Sequence, residues 1–318
     1  MQFRTEYIPK ASHIRLDPRK ETILIGSCFA DNIGRLMRQS LWNAAVNPCG
    51  TLFNPVSMAC VMRLALGLVN ADSPWKGTDG IWRSWDFPTQ FADLTSDGCA
   101  LKCHQAITSL RSRLINGDTL IATFGTSIVY AIGDNRRIVA NCHKQPAGMF
   151  HRTHTGVQEI VALWRSLVTD IRRLNPNMKI IFTVSPVRHI KEGFVENSRS
   201  KATLLLACEE LCRSLEGCDY FPAYEIMNDD LRDYRFYTSD MAHPSPEAEE
   251  YIFSQFTKTF LCPEDRLLLE QGRALTRRHI HRPLIPDSET ARKFKTDTAS
   301  LIESWHRHNP SMLTPDRI

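Results

Sequence analysis

Apolar residues fall into short unbroken runs, separated by longer stretches in which they return every three or four positions. Thr22-Ile23-Leu24-Ile25-Gly26 is the first run. It is too short for a buried helix and rich in β-branched residues, so it predicts a strand covered on both faces. Beyond it Phe29, Ile33, Leu36, Met37 and Leu41 recur with helical spacing, so the chain turns from strand to helix at Gly26-Ser27. Leu120 to Gly125 and Lys179 to Val184 are runs of the same kind, and Asp219-Tyr220-Phe221 is a weaker fourth. Between the second and third runs, Ile160, Leu163, Trp164, Leu167, Ile171 and Leu174 form a helical stripe that stops before Pro176. Ala202, Leu205, Leu206, Leu211 and Leu215 carry another helix. Ser245, Pro246 and Glu247 read as a helix start, followed by Ala248, Ile252, Phe256 and Phe260 on one face. Wholly apolar strands alternating with helices predict an α/β fold with a mostly parallel sheet sandwiched between helical layers.

Residues 72–118 fit this pattern less well. They are rich in Trp, Asp and Gly without a clear period and read as an insertion in a domain spanning 1–261. From 262 to 318 the chain turns polar, with helical patches and Pro283, Pro286 and Pro310, and reads as a C-terminal helical appendage.

Composition narrows the classes of function. Hydrophobic residues make up 42% and charged residues 23%, the balance of a soluble globular chain rather than a disordered one. The 39 basic and 35 acidic residues leave a net charge of +4, too small an excess to predict nucleic-acid binding. The basic run from Arg277 to Arg282 reads as a solvated helix end. Met1 to Lys10 lacks the basic and apolar regions of an export signal, and no long apolar stretch predicts a membrane span. The expectation is a cytoplasmic protein with no membrane partner. Its ten cysteines are then expected to be reduced. Cys99, Cys103 and His104 come nearest to a metal site but lack a second ligand pair, so no metal is expected. Cys208 and Cys212, four apart, read as packing residues.

In an open parallel sheet, ligands bind beyond the carboxyl ends of the strands, and the chemically interesting residues stand there. Ser27 follows the first strand and Gly125-Thr126-Ser127 the second. Ser185-Pro186-Val187-Arg188-His189 follows the third, and Asp240-Met241-Ala242-His243 precedes the last helix. A serine hydroxyl becomes a nucleophile when a histidine takes its proton, and that histidine is held by a carboxylate. Asp240 and His243, three residues apart, can supply both from one loop. Alone, such a pair arises often by chance, and a serine before a helix is commonly just an N-cap.

The combination also resembles a known family. Gly26-Ser27-Cys28-Phe29-Ala30 is the motif that names the GSCFA family, a branch similar to the SGNH (GDSL-like) hydrolases. The resemblance continues through Asn47 to Thr51, Phe124 to Thr126, Asn141 to Lys144, Thr183 to His189 and Ser200 to Ala202. It ends with Tyr220 to Glu225, Asp233 to Tyr237 and Asp240 to Pro244. It implies a three-layer α/β/α sandwich of flavodoxin-like topology, with Ser27 as nucleophile and Asp240 and His243 as its partners. Gly50 matches the glycine whose amide helps that of Ser27 hold the oxyanion. Where SGNH enzymes place an asparagine after a glycine, Gly125 is followed by Thr126 and Ser127. A missing oxyanion donor lowers the rate by roughly 10²–10³. Asn141 either replaces that asparagine from another loop or only holds its own turn. Asp86-Phe87-Pro88-Thr89 stands where the resemblance implies His-Ser, so a substrate contact from that histidine is lost.

Gly125, Thr126, His143, Arg188 and His189 are candidate substrate contacts. Lys144, Arg152, Arg188, Arg232 and Arg235 line a positive pocket, or they pair with Glu192, Glu225, Asp229 and Asp230. The expected reaction is hydrolysis of a small-molecule or glycan acyl ester, with no cofactor. Transfer of the acyl group to another hydroxyl, and ligand binding without turnover, are the alternatives.

Overall fold

β1 (Thr22–Gly26) runs through the middle of the molecule with every residue buried, as its unbroken apolar run predicts. The computed structural model describes residues 5–318, so the first four residues of the stretch read for an export signal lie outside it. After β1 come α1 (Cys28–Gln39), β2 (Ala44–Val46) and α2 (Pro55–Leu66). A small hairpin, β3 (Trp75–Lys76) and β4 (Trp82–Arg83), leads to α3 (Ser96–Asn116) and β5 (Thr119–Phe124). β6 (Ile128–Ile132), β7 (Arg137–Val139) and β8 (Phe150–His154) then make a separate antiparallel sheet. The remainder is α4 (Val157–Leu174), β9 (Lys179–Val184), α5 (Phe194–Ser214), β10 (Cys218–Phe221), the single turn α6 (Ala223–Glu225), α7 (Pro246–Phe260), α8 (Pro263–Ile280) and α9 (Glu289–His308).

The central sheet has the order β10-β9-β5-β1-β2, and every pairing in it is parallel. Counting only its own strands, this is the flavodoxin-like order, in which the chain winds outward from β1 in one direction and then in the other. The order reverses between β1 and β5, so a crevice is expected at their carboxyl ends.

Strand periodicity divides the core into two halves. Ile23 and Ile25, Leu120, Ala122 and Phe124, and Ile180, Phe182 and Val184 pack on the side of α2, α3, α4 and α5. Leu24, Ile121, Ile181 and Phe221 pack on the side of α1 and α7. Trp164 of α4 is fully buried against Phe124 and Phe182, and its indole N–H donates to the Pro55 carbonyl at 3.1 Å. The three-layer α/β/α sandwich is therefore present.

Residues 72–118 contribute to the main core. α3 spans 21 of them, and its buried face of Cys99, Cys103, Ala106, Leu110 and Leu114 belongs to the main core. Two of those positions are cysteines and one is alanine, small residues that do not stand out as an apolar stripe. Cys99 and Cys103 thus serve packing, as does Cys208 on α5. Beyond residue 262, α8 and α9 supply Leu269, Leu275 and Trp305 to the same cluster as α1 and α7. The Leu313 amide donates to the Leu41 carbonyl at 2.9 Å, so this segment is fastened to the α1 side of the sandwich. No described helix is long and apolar enough to cross a membrane.

Candidate active site

Ser27 occupies the N-cap position of α1, but its hydroxyl makes no capping bond. The residue is 1% exposed, and Ser27 Oγ is a buried polar atom with no hydrogen-bond partner among the described residues. Such an atom is uncommon in a native fold and calls for a reason. The turn that holds it is tightly built. A side chain on Gly26 would put its Cβ 2.5 Å from the Thr123 carbonyl oxygen of β5, so only glycine lets β1 lie this close. The Gly26 amide donates to Asn47 Oδ1 at 2.8 Å, Asn47 Nδ2 donates to Asp31 at 2.7 Å, and the Thr51 hydroxyl donates to the same carboxylate at 2.9 Å. This network ties the end of β1 to the first turn of α1. The neighbouring Cys28 thiol is pushed up by burial and by the Asp31 charge, so it stays protonated.

Asp240 and His243 meet within one short loop. His243 Nδ1 lies 2.6 Å from Asp240 Oδ2, and the carboxylate fixes the proton on Nδ1 and leaves Nε2 as the basic nitrogen. Asp240 Oδ1 accepts from the amides of His243 and Ala242, at 3.0 and 2.9 Å, and from the Thr238 hydroxyl at 2.7 Å. Those bonds, with the two amides foremost, hold the carboxyl far below its usual range. Met241 takes φ +59° between them, a left-handed conformation that a non-glycine side chain adopts at a cost of ~1 kcal/mol. The loop is anchored at Ala242, whose carbonyl accepts from the Arg188 amide at 3.0 Å. The dyad is formed in the structure; His243 is not hydrogen-bonded to Ser27.

The expected oxyanion donors are placed less simply. The Ser27 amide reaches the Thr123 carbonyl at 3.4 Å, a long bond that is readily released. Gly50, at φ +77°, donates its amide to the Asn47 carbonyl at 2.7 Å and closes a turn with it. Asn141 uses Oδ1 to accept the His143 amide at 2.7 Å, the self-holding turn weighed above, which leaves its NH₂ group as a donor. The amides of Gly125 and Thr126 both donate to the Phe53 carbonyl at 2.9 Å. Gly125 nonetheless lies against the serine: a Cβ there would be 3.3 Å from that of Ser27. The Thr126 hydroxyl is bonded to that of Ser200 at 3.0 Å.

His143 is engaged at both ring nitrogens. Its Nε2–H donates to the Ser84 carbonyl at 2.8 Å, and its Nδ1 accepts from the Thr89 hydroxyl at 3.1 Å. Both its nitrogens are used, and its ring packs at an angle against the stacked pair of Trp75 and Trp85. His189 stands differently. Its ring meets Phe53 edge-on, its Nε2 is buried without a partner, and burial pulls its pKa down to about 4, with Lys201 pushing the same way. It lines a cavity of about 260 Å³ together with Phe53, Asn54, Thr126 and Asn141. Arg188, the residue before it, faces a second cleft of about 460 Å³ that also includes Met241. A wider groove between α8 and α9 contains none of the expected site residues.

One residue of this region has no signal in periodicity. Lys201 of α5 is fully buried, and its ammonium donates to the carbonyls of Gly125 and Ser185 at 2.6 Å each. It therefore joins the carboxyl ends of β5 and β9 beneath the serine. In sequence it figures only within the resemblance of Ser200 to Ala202, and the folded chain reveals the contact.

The family is decided by a match over most of the chain: the model described as the GSCFA family fits residues 21–256. The chain belongs to the GSCFA family. The matched region begins at the foot of β1 and ends within α7, so it holds every strand and every expected site residue. No curated protein matches this GSCFA chain. Among solved structures it is similar to a carbohydrate esterase family 3 protein from Talaromyces cellulolyticus, at 10% identity and a TM-score of 0.37, covering 79% of this chain and 98% of that one. It is also similar to a Clostridium thermocellum family 3 carbohydrate esterase, at 13% identity and a TM-score of 0.31, over 80% of this chain and 98% of that one. A third is an acetyl xylan esterase from the rumen bacterium Butyrivibrio proteoclasticus, at 14% identity and a TM-score of 0.32, over 80% and 64%.

Proposed function

We propose that the chain is a serine esterase that hydrolyses an acyl ester through Ser27, His243 and Asp240. The observation that carries this reading is the state of Ser27. It sits where a serine ordinarily caps a helix, yet its hydroxyl caps nothing and has no other partner, at the crevice where the strand order reverses. The buried hydroxyls of Ser57, Thr155 and Thr276 also have no partner among the described residues, and what sets Ser27 apart is its place at the reversal of strand order.

His243 Nε2 takes the Ser27 proton as Oγ bonds to the ester carbonyl carbon, once the serine rotates or the 237–244 loop moves inward to bring the two together. Asp240 holds the imidazole in the required tautomer and stabilises the imidazolium. The Ser27 amide is the first oxyanion donor, because its present bond is the weakest of the set, and the Asn141 NH₂ is the second. Gly50 joins them only if its turn bond to Asn47 opens. The tetrahedral adduct collapses with loss of the alcohol, which receives the proton from His243. Water then attacks the acyl-serine, His243 again takes a proton, and the acid departs. Thr126 and His189 contact the acyl portion in the smaller cavity, and Gly125 lies against the serine. No cofactor takes part in these steps.

The engaged Gly50 amide favours a second reading, ligand binding without turnover, and transfer of the acyl group to an acceptor hydroxyl uses the same acyl-serine. Hydrolysis of 4-nitrophenyl acetate separates turnover from binding alone, and dependence of acyl release on an added acceptor alcohol separates transfer from hydrolysis. Wild type is expected to turn over and Ser27→Ala, folded normally, to lose that activity; full activity in Ser27→Ala would contradict the assignment.

A further inference from the structure

Of the five cations that sequence places near the strand ends, three are neutralised locally. Arg152 pairs with Glu192 at 2.6 Å, Arg232 with Asp229 at 2.8 Å and Arg235 with Asp233 at 3.5 Å. Arg188 is different. Its guanidinium donates to Asn228 Oδ1 at 2.9 Å and to the Tyr237 hydroxyl at 3.4 Å, with no carboxylate at ion-pair distance among the described residues. It lies half-buried over the Tyr237 ring, with its charge 5.9 Å from the ring centre. Neutral partners orient the fork without discharging it, which leaves the charge for a ligand.

The cleft around Arg188 has the composition of a small-molecule site. Its rim carries Phe194 and Tyr234, respectively 74% and 78% exposed, together with Ile190 and Met241. Arg232 also borders the cleft but is paired with Asp229. Exposed aromatic side chains therefore surround one cation without a carboxylate among the described residues, which suits a flat or apolar body that bears an anionic group. Asp233 also borders the cleft, but its charge is taken by Arg235. The cleft opens directly onto the reaction loop. Met241 belongs to both, and the Arg188 amide bonds to the Ala242 carbonyl within that loop. A ligand held by Arg188 is thus held beside Asp240 and His243.

We propose that this cleft is the anion-recognition subsite of the enzyme, so that its substrates are esters carrying a carboxylate or phosphate on a planar or apolar body, gripped by Arg188. The inference rests on the esterase reading, and the experiment is chosen to keep the two apart. Hydrolysis of 4-acetoxybenzoate and 4-acetoxyphenyl phosphate is compared with that of the neutral methyl 4-acetoxybenzoate, in wild type, Arg188→Met and Arg188→Lys. Thermal melts establish that each protein is folded. Wild type is expected to favour at least one anionic ester by ~10–100-fold in kcat/KM, the range of a charge-assisted bidentate contact. That preference should collapse to near unity in Arg188→Met, fall partway in Arg188→Lys and weaken with added salt. Whichever anion is preferred identifies the source. Hydrolysis without an anionic preference, or a preference that survives Arg188→Met, would overturn the subsite and leave the esterase standing. If no ester is hydrolysed, the esterase reading fails and binding decides the subsite. A rise in Tm with benzoate or phenyl phosphate in wild type but not in Arg188→Met supports it, and no rise overturns it.

Discussion

Lys201→Met should change how stability depends on pH. In the folded chain the ammonium is wholly buried, and burial brings its pKa down to about 7 from an ordinary value near 10.4. Between those values the unfolded chain holds a proton that the folded one has released, so wild-type stability from this group rises with pH. The rise begins near pH 7 and is complete near the unfolded pKa. Integrated from pH 6 to pH 9 it amounts to about 3 kcal/mol, with a limiting slope of about 1.4 kcal/mol per pH unit. Methionine cannot titrate. It also strips the donors from the Gly125 and Ser185 carbonyls, an offset of about 1–3 kcal/mol each that does not vary with pH. Buried thiols act in the opposite sense. Cys49, Cys60, Cys103 and Cys212 are pushed up to about 12 by burial, while in the unfolded chain they ionise near 8.5, so their contribution falls above that pH. They are common to both proteins and cancel in the difference. Urea unfolding followed by the fluorescence of the six tryptophans, at pH 6, 7.5 and 9, should therefore show the wild-type advantage over Lys201→Met growing by about 3 kcal/mol. Parallel profiles would refute the reasoning, because they would mean that the two carbonyls keep the ammonium protonated through pH 9.

Two further substitutions separate chemistry from packing. Asp240→Asn keeps a side-chain oxygen for the Ala242 and His243 amides but no longer enforces the Nδ1–H tautomer, so kcat for ester hydrolysis should fall by ~10³–10⁴ with little change in KM. In wild type, because the Asp240 carboxyl is held far below its usual range, kcat/KM measured from pH 4 upward should show no acid limb from this group. His143→Leu removes two hydrogen bonds and a ring packed against the stacked Trp75–Trp85 pair, so unfolding should be easier by about 2–3 kcal/mol while kcat/KM stays within tenfold of wild type. A loss of kcat/KM far beyond tenfold would return His143 to the substrate.

What was legible in the chain depended on how far each feature rests on local pattern. β1 and β9 are unbroken apolar runs, and the structure starts and stops them where the runs do. α7 was announced by Ser245 and Pro246, and the Ser245 hydroxyl does accept from the Ala248 amide. α3 was hidden because cysteine and alanine carry much of its buried face. The sheet of β6, β7 and β8 was hidden because its last strand is mostly exposed and polar, without a run to mark it. The Asp240–His243 pair was readable because both residues lie on one turn. The engagement of the Gly50 amide and the bonds of Lys201 join residues far apart in sequence, and no spacing reports them. Charge pairing was ambiguous for the same reason: Arg152 and Arg188 read alike, and only the folded chain gives one a carboxylate and the other none among the described residues.

The central claim is that Ser27 is an activated nucleophile. Treating the full-length protein with a fluorophosphonate probe and locating the adduct by mass spectrometry tests it directly. The account predicts a single adduct on Ser27, absent from Ser27→Ala and strongly slowed in His243→Ala. A folded protein that takes no label, or takes it at Cys28 or another serine, would contradict it.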